Sequence, residues 1–293
     1  MYYICESDKP KLWQELFNIV RLEGNKIILP ICNVEKRNKK NNNEKKEMKE
    51  KQMELKLAQK TNKIINQTNS RKVVISKEIQ KHKTYLNQLY TYDLDIIDGK
   101  WLFFMLIPEI LEYIIKKQKI VKEQSNIHIL VNQLNENIVK QIKELSRKYK
   151  NVYIVTKHIE KFKKIEEEIL EDTGTVITVM NNKKKSLAKS KIIVNIDFPQ
   201  ELINQYVICE DAIILDCLDS LKITKKRFNG IIIHDYDIFL KNNIEYGITQ
   251  DLYYQKDLYE AEFYKKQPYE QIREKIKKDG IQIVKLYGLN QIF

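Results

Sequence analysis

The sequence predicts an α/β protein: a doubly wound, mostly parallel sheet preceded by a smaller α/β N-terminal domain. Three observations predict it. From residue 126 onward, short apolar runs alternate with longer amphipathic segments at a steady spacing. The runs, such as IHILV at 127–131 and VYIVT at 152–156, are continuous, as in parallel strands covered on both faces. The 293 residues also exceed what one such sheet needs, and the first part of the chain carries strand and helix signals of its own.

In the N-terminal part, KLWQELFNIVRL at 11–22 has helical spacing of its apolar residues, with Gly24 as a stop. NKIILP at 25–30 reads as a short strand. Residues 35–70 are dominated by charge and read as a flexible insertion or a solvated helix, with Met53, Leu55 and Leu57 marking a helical end. KVVIS at 72–76 is a strand, 77–90 a helix, and LDII at 94–97 a strand closed by Asp98–Gly99. The stretch from Trp101 to Ile115, WLFFMLIPEILEYII, continues to Lys117 as an apolar helix in which Pro108 marks a kink or restart. It is a candidate homodimer face.

The regular part follows. Strands are expected at 127–131, 152–156, 175–180, 192–196 and 212–215. Helices are expected at 137–149, 159–170, 183–188 and 199–205. Right-handed crossovers of this kind build a Rossmann-like sheet. Beyond residue 220 the pattern decays into a strand at 230–234, a Tyr-rich stretch, a helix at 269–278 ended by Gly280, and a last strand at 281–286. The expected division is 1–34 with 71–120 as the N-terminal domain and 35–70 as the insertion. Residues 121–235 form the Rossmann-like domain, and 236–293 a C-terminal extension packing on the core.

The net charge of +12 raises nucleic acid or an anionic surface as partners. Residues 36–60 carry ten Lys or Arg against four Glu, so half of the surplus sits in one segment where acid and base interleave. Nucleic acid is therefore not favoured. Cys5, Cys32, Cys209 and Cys217 are scattered, as are the four His, so reduced thiols and no metal site are expected. No apolar run is long enough to span a bilayer, and the N-terminal residues lack a leader pattern. A cytoplasmic protein is expected.

Residues 150–216 resemble the cofactor domain of two-domain NAD(P)-dependent dehydrogenases of the shikimate dehydrogenase and glutamyl-tRNA reductase type. The segments VYIVTKHIEKFKKIEEEI, SLAKSKIIVNIDFPQELI and CEDAIILD carry the resemblance. It implies that Thr156, Lys157 and His158 hold the place where such enzymes meet the NADP ribose phosphate, and that the strand at 192–196 ends beside the nicotinamide. The resemblance breaks at the first strand. A dinucleotide fold needs G-x-G-x-x-G there, and this chain has VNQLNEN at 131–137, with no glycine. Glu136 also adds a charge that repels phosphate.

Five residues would meet a nucleotide-like ligand if one binds: Asn132, Thr156, Lys157, Asn195 and Asp197. Asp197 reads first as the cap of the helix beginning near Pro199. Lys100 with Asp98, and Lys77 with Glu78, offer local proton-transfer pairs but read as solvated surface pairs. Asp211, Asp216 and Asp219 read as loop residues at strand ends. Lys183–Lys185, Lys189 and Lys191 form a basic cluster that reads equally as an anion site or a solvated face. The expected function is a non-catalytic role, binding a small ligand or a protein partner, with no cofactor. The alternatives are an NADP-using oxidoreductase with an atypical phosphate loop and a nucleic-acid binder using the 36–60 arm.

Overall fold

The computed structural model describes residues 1–7, 17–31, 44–68, 70–122, 125–223, 228–241, 250–263, 267–288 and 291–293. It divides into two compact units, Met1–Gly99 with Ile244–Lys265, and Lys100–Asn243 with Lys266–Phe293. The division differs from the expected one in two places. The apolar stretch after Gly99 belongs to the second unit, and the Tyr-rich tail is shared between the units.

The first unit holds a 5-stranded sheet in the order β2-β3-β1-β4-β5. Its strands are β1 (Tyr2–Glu6), β2 (Arg21–Glu23), β3 (Lys26–Leu29), β4 (Lys72–Ile75) and β5 (Asp95–Ile97). All neighbours are parallel except β2 and β3. The helix expected over 11–22 falls largely outside the described residues, and its end at Arg21–Glu23 is the antiparallel strand β2. Its Gly24 sits at φ +61° in the tight turn that β2 and β3 share.

The charged segment expected as a flexible insertion or a solvated helix forms the helix α1 (Glu44–Asn66), while residues 35–43 lie outside the described residues. Leu57, Ala58, Thr61 and Ile65 recur at helical spacing and are fully buried. Burial of that stripe ties the helix to the core of Ile4, Ile27, Val73 and Leu89. Glu54 of α1 accepts the amide of Tyr85, near the start of α2 (Lys83–Tyr90), and pairs with His82 at 2.8 Å. Between β4 and α2 the expected single helix is a 3₁₀ turn, Ile79–Lys81.

The second unit begins with α3 (Lys100–Met105) and α4 (Ile107–Lys117), separated where Pro108 stands in the first turn of α4. Leu102, Phe103, Ile107, Ile110, Leu111 and Ile114 are buried within the chain itself. Phe103 packs on Tyr236, and Tyr113 donates to the carbonyl of Val284. The stretch from Trp101 to Ile115 is thus spent on intramolecular packing and corrects the expected homodimer face.

Eight strands form the second sheet in the order β13-β12-β11-β10-β9-β6-β7-β8. They are β6 (Asn126–Leu130), β7 (Asn151–Val155), β8 (Ile177–Met180), β9 (Ile192–Asn195), β10 (Ile213–Asp216), β11 (Ile231–Leu240), β12 (Ile281–Gly288) and β13 (Gln291–Ile292). From β11 to β8 every pairing is parallel. Counted from β6, that stretch runs 3-2-1-4-5-6, the Rossmann order. Helices α5 (Glu136–Lys148) and α6 (Ile159–Thr173) join β6 to β7 and β7 to β8. Gly174, at φ +66°, ends α6.

The Tyr-rich region corrects the expected extension. The strand expected at 230–234 continues to Leu240 and pairs antiparallel with β12, so the tail enlarges the sheet. Helix α7 (Gln200–Ile203) is short; α8 (Gln255–Phe263) belongs to the first unit and α9 (Tyr269–Asp279) to the second. Tyr253 meets Tyr3 edge-on, and Tyr269 is held by Gln141 and Glu144. Tyr246 and Tyr264 lie outside the described residues. No described helix is long and apolar enough to cross a membrane.

Candidate functional site

In an open α/β sheet, ligands bind beyond the carboxyl ends of the strands, where the strand order reverses. Here the reversal lies between β6 and β9. Register fixes what meets there: Leu130 at the end of β6 stands beside Asn195 at the end of β9, and Leu130 pairs on its other side with Val155 of β7. Thr156 follows its strand end directly, and Asn132 and Asp197 follow theirs after one intervening residue.

Asp197 crosses the reversal. Its Oδ1 accepts the amide of Asn132 at 2.7 Å and its Oδ2 accepts that of Gln133 at 2.5 Å. Asn132 then reaches the other way, its Oδ1 accepting the amide of Lys157 at 2.9 Å. Thr156 is fully buried, and its hydroxyl accepts the amide of His158 at 3.1 Å. The Lys157 side chain stays exposed.

The expected helix cap is corrected by the same contacts. Pro199 stands at the start of α7, which receives no side-chain cap. Asp197 instead serves the loop after β6, because two free amides lie within its reach. The local turn is made by Asn195, whose Oδ1 accepts the amide of Phe198. Its Nδ2 donates to Phe198 O and to Asp216 Oδ1, at 3.0 and 2.8 Å. Asp216, at the end of β10, accepts the amides of Ser220 and Leu221. All polar atoms of the buried Asn195 side chain are thereby satisfied within the chain.

Burial raises the Asp197 carboxyl above its ordinary value, against the lowering pull of the Gln133 and Asn132 amides and of His158. The loop ends in an ordinary helix start, where Asn135 Oδ1 accepts the amide of Ile138 at 3.0 Å. A pyrophosphate in a dinucleotide fold would take amides of this loop at the helix N-terminus. It cannot share the Asn132 and Gln133 amides with the Asp197 carboxylate, and two anions in one place repel. The residues present do not fit a dinucleotide bound in the usual way.

The other sequence candidates are engaged elsewhere. Lys100 faces Asp219 at 3.7 Å, while Asp98 accepts from Tyr90. Lys77 donates to Asp251 O, and Glu78 pairs with Lys81. Asp211 pairs with Lys191 and accepts from Cys209. Among the described residues no cluster of three His, Cys, Asp or Glu is placed to hold a metal. Sequence reasoning missed the role of Gln133, whose backbone alone takes part, and of Asp216, whose partners are loop amides and the Asn195 side chain. Only the position of Asp216 after an apolar run signalled it.

No protein-family model and no curated protein matches the chain. Among solved structures it is similar to N-acetyl-L-ornithine transcarbamylase, at 8% identity over 56% of this chain and 60% of that one, with a TM-score of 0.28. L-tryptophan dehydrogenase from Nostoc punctiforme gives 10%, 78%, 65% and 0.29 in the same order, and a shikimate 5-dehydrogenase-like protein 13%, 40%, 41% and 0.22. The chain spans about half to three fifths of the length of the transcarbamylases it matches. Superpositions this loose carry no functional argument, and the fold assignment rests on strand order.

Proposed function

We propose that this chain is a non-catalytic Rossmann-like protein, a degenerate relative of the shikimate dehydrogenase and glutamyl-tRNA reductase type, that binds a small ligand or holds a protein partner. It uses no dinucleotide cofactor. The observation that carries the reading is the carboxylate of Asp197 on the Asn132 and Gln133 amides. An internal anion there substitutes for the phosphate of a cofactor, and fold alone confers no activity.

A nucleic-acid role for the 36–60 arm is less well supported, because α1 spends basic residues on the chain itself. Lys60 donates to the carbonyls of Phe17 and Asn18, and Lys51 pairs with Glu47.

Thermal denaturation with NADP and NADPH tests the reading. No stabilisation at millimolar cofactor is expected. Stabilisation of the wild-type chain that is lost in Lys157→Gln would reinstate an oxidoreductase with an atypical phosphate loop.

A further inference from the structure

In the second unit, the connection from β8 to β9 is unusually thin. The helix expected over 183–188 does not form. Asn182 folds the segment into successive turns, its Oδ1 accepting the amides of Lys184 and Lys185 at 3.0 Å each. Its own amide donates to Ser186 Oγ at 2.8 Å. Side-chain bonds of this kind compete with helix. Leu187 nevertheless joins the core of Leu130, Val155 and Ile193, so the crossover lies on that face of the sheet. Parallel strands normally have both faces covered by helices. Turns cover less, and a cavity of about 340 Å³ remains over β6 and β7.

Its floor is a pair of rings. His128 of β6 and Tyr153 of β7 are register partners, stacked at 4.6 Å with 9° between their planes. Side chains alternate along a strand, which puts both rings on the face of Leu130 and Val155. His128 is 7% exposed, and its Nδ1 is buried without a hydrogen-bond partner. An orphaned ring nitrogen in a native fold calls for a cause. Ser186 is also buried, and its hydroxyl accepts from Asn182 while its own proton meets no acceptor among the described residues.

The rim is basic. Lys185 and Lys189 line the cavity and have no ion-pair partner among the described residues. Their neighbours differ: Lys183 donates to Gln205, and Lys191 pairs with Asp211. Two uncommitted ammonium groups above a polar floor match a doubly charged anion, and Lys acts as a point charge toward phosphate. The volume is at the small end of ligand pockets, too small for a dinucleotide.

We infer that this sheet-face cavity binds a phosphate dianion, either free or as the head of a small monoester, between Lys185 and Lys189 over His128. The inference rests on the ligand-binding form of the function proposed above and places the ligand away from the strand ends. Ser186 supplies a hydroxyl donor, and the neutral imidazole of His128 gains a partner charge.

Calorimetric and NMR titration of the full chain tests it, with inorganic phosphate, phenyl phosphate and, as the uncharged control, phenol. Saturable binding of phosphate or its ester is expected, with none of phenol. Affinity should fall about tenfold or more in Lys185→Gln/Lys189→Gln and stay unchanged in Lys163→Gln. The His128 ring signals should titrate at higher pH when phosphate is bound. Tighter binding of phenyl phosphate assigns a monoester, and equal or weaker binding assigns free phosphate.

Absence of saturable binding, or binding untouched by the double substitution, overturns the inference. If the double substitution leaves binding intact while Lys157→Gln abolishes it, the anion sits at the strand ends and the closed-crevice reading falls as well. Silence toward phosphate and NADP alike overturns only the sheet-face site.

Discussion

The carboxylate of Asp197 holds the main-chain amide of Asn132 at 2.7 Å, across the seam where the strand order of the second sheet reverses. The adjacent Gln133 amide completes the grip. A charged acceptor on two backbone donors is worth more than a neutral one. Asp197→Asn keeps the size but turns one oxygen into a donor that faces another donor. A loss of about 1–3 kcal/mol in urea denaturation is expected, with the sheet intact by far-UV circular dichroism. A neutral outcome would show that the loop after β6 does not depend on this anion.

Much of the second sheet is legible in the sequence, because each parallel strand is a continuous apolar run and Gly174 and Gly280 end their helices. The site is less legible. Asp197 and the amides it holds are far apart in sequence, and a backbone donor leaves no residue-type signature. Charge hides α1, since Leu57, Ala58, Thr61 and Ile65 form a narrow stripe within a strongly basic segment. The Lys183–Ala188 segment misleads in the opposite sense, because helix propensity yields there to the side chain of Asn182.

Leu57→Ala tests whether α1 is integral to the first unit. Leu57 is fully buried in a core with Ile4 and Val73, so truncation leaves a cavity and should cost about 2–5 kcal/mol. Met48 on the same helix is 65% exposed, and Met48→Ala should fall within about 0.5 kcal/mol of the wild type. Equal, small effects for both would return α1 to the status of a solvated arm.

Arg273 joins three helices of the second unit. It forks onto Glu109 of α4 and Glu144 of α5, and its Nη1 also donates to Met105 O. Arg273→Met strands two carboxylates, and chemical denaturation near neutral pH should show a loss of about 3–5 kcal/mol. The acid limb gives a second reading. Burial alone would raise the Glu144 carboxyl, but the hydrogen bonds and charge of Arg273, with Tyr269 and Lys148, hold it below its ordinary value. That stabilisation is present above the unfolded carboxyl pKa of about 4.3 and is lost as pH falls through the folded value. The variant should therefore lose less stability on acidification than the wild type.

Gly230 opens β11 against β10. A Cβ there would run into the Ala212 carbonyl oxygen, which is backbone and cannot turn aside. Gly230→Ala must push β11 away from its parallel partner, at a cost above about 2 kcal/mol. Gly174→Ala meets open space and suffers only from its φ of +66°, so about 1 kcal/mol is expected. Thermal melts of the pair rank the two causes, and a Gly174→Ala loss equal to or larger than that of Gly230→Ala would mean the close approach is not real.

His128 gives the second unit a pH dependence of its own. Burial pushes its imidazole down to about 4, with a backbone bond at Asn126 acting weakly the other way. In the unfolded chain the same ring titrates near about 6.5. The folded state binds the proton less well, so the contribution of His128 is complete above the unfolded value and drains away as pH falls toward the folded one. The difference corresponds to roughly 3 kcal/mol. His128→Phe keeps a ring on Tyr153 and removes the titration. Urea denaturation from about pH 7 to about pH 4 should show wild-type stability falling more steeply than that of the variant, with the gap opening below about 6.5. Parallel curves would mean that the imidazole is wetter than its 7% exposure indicates.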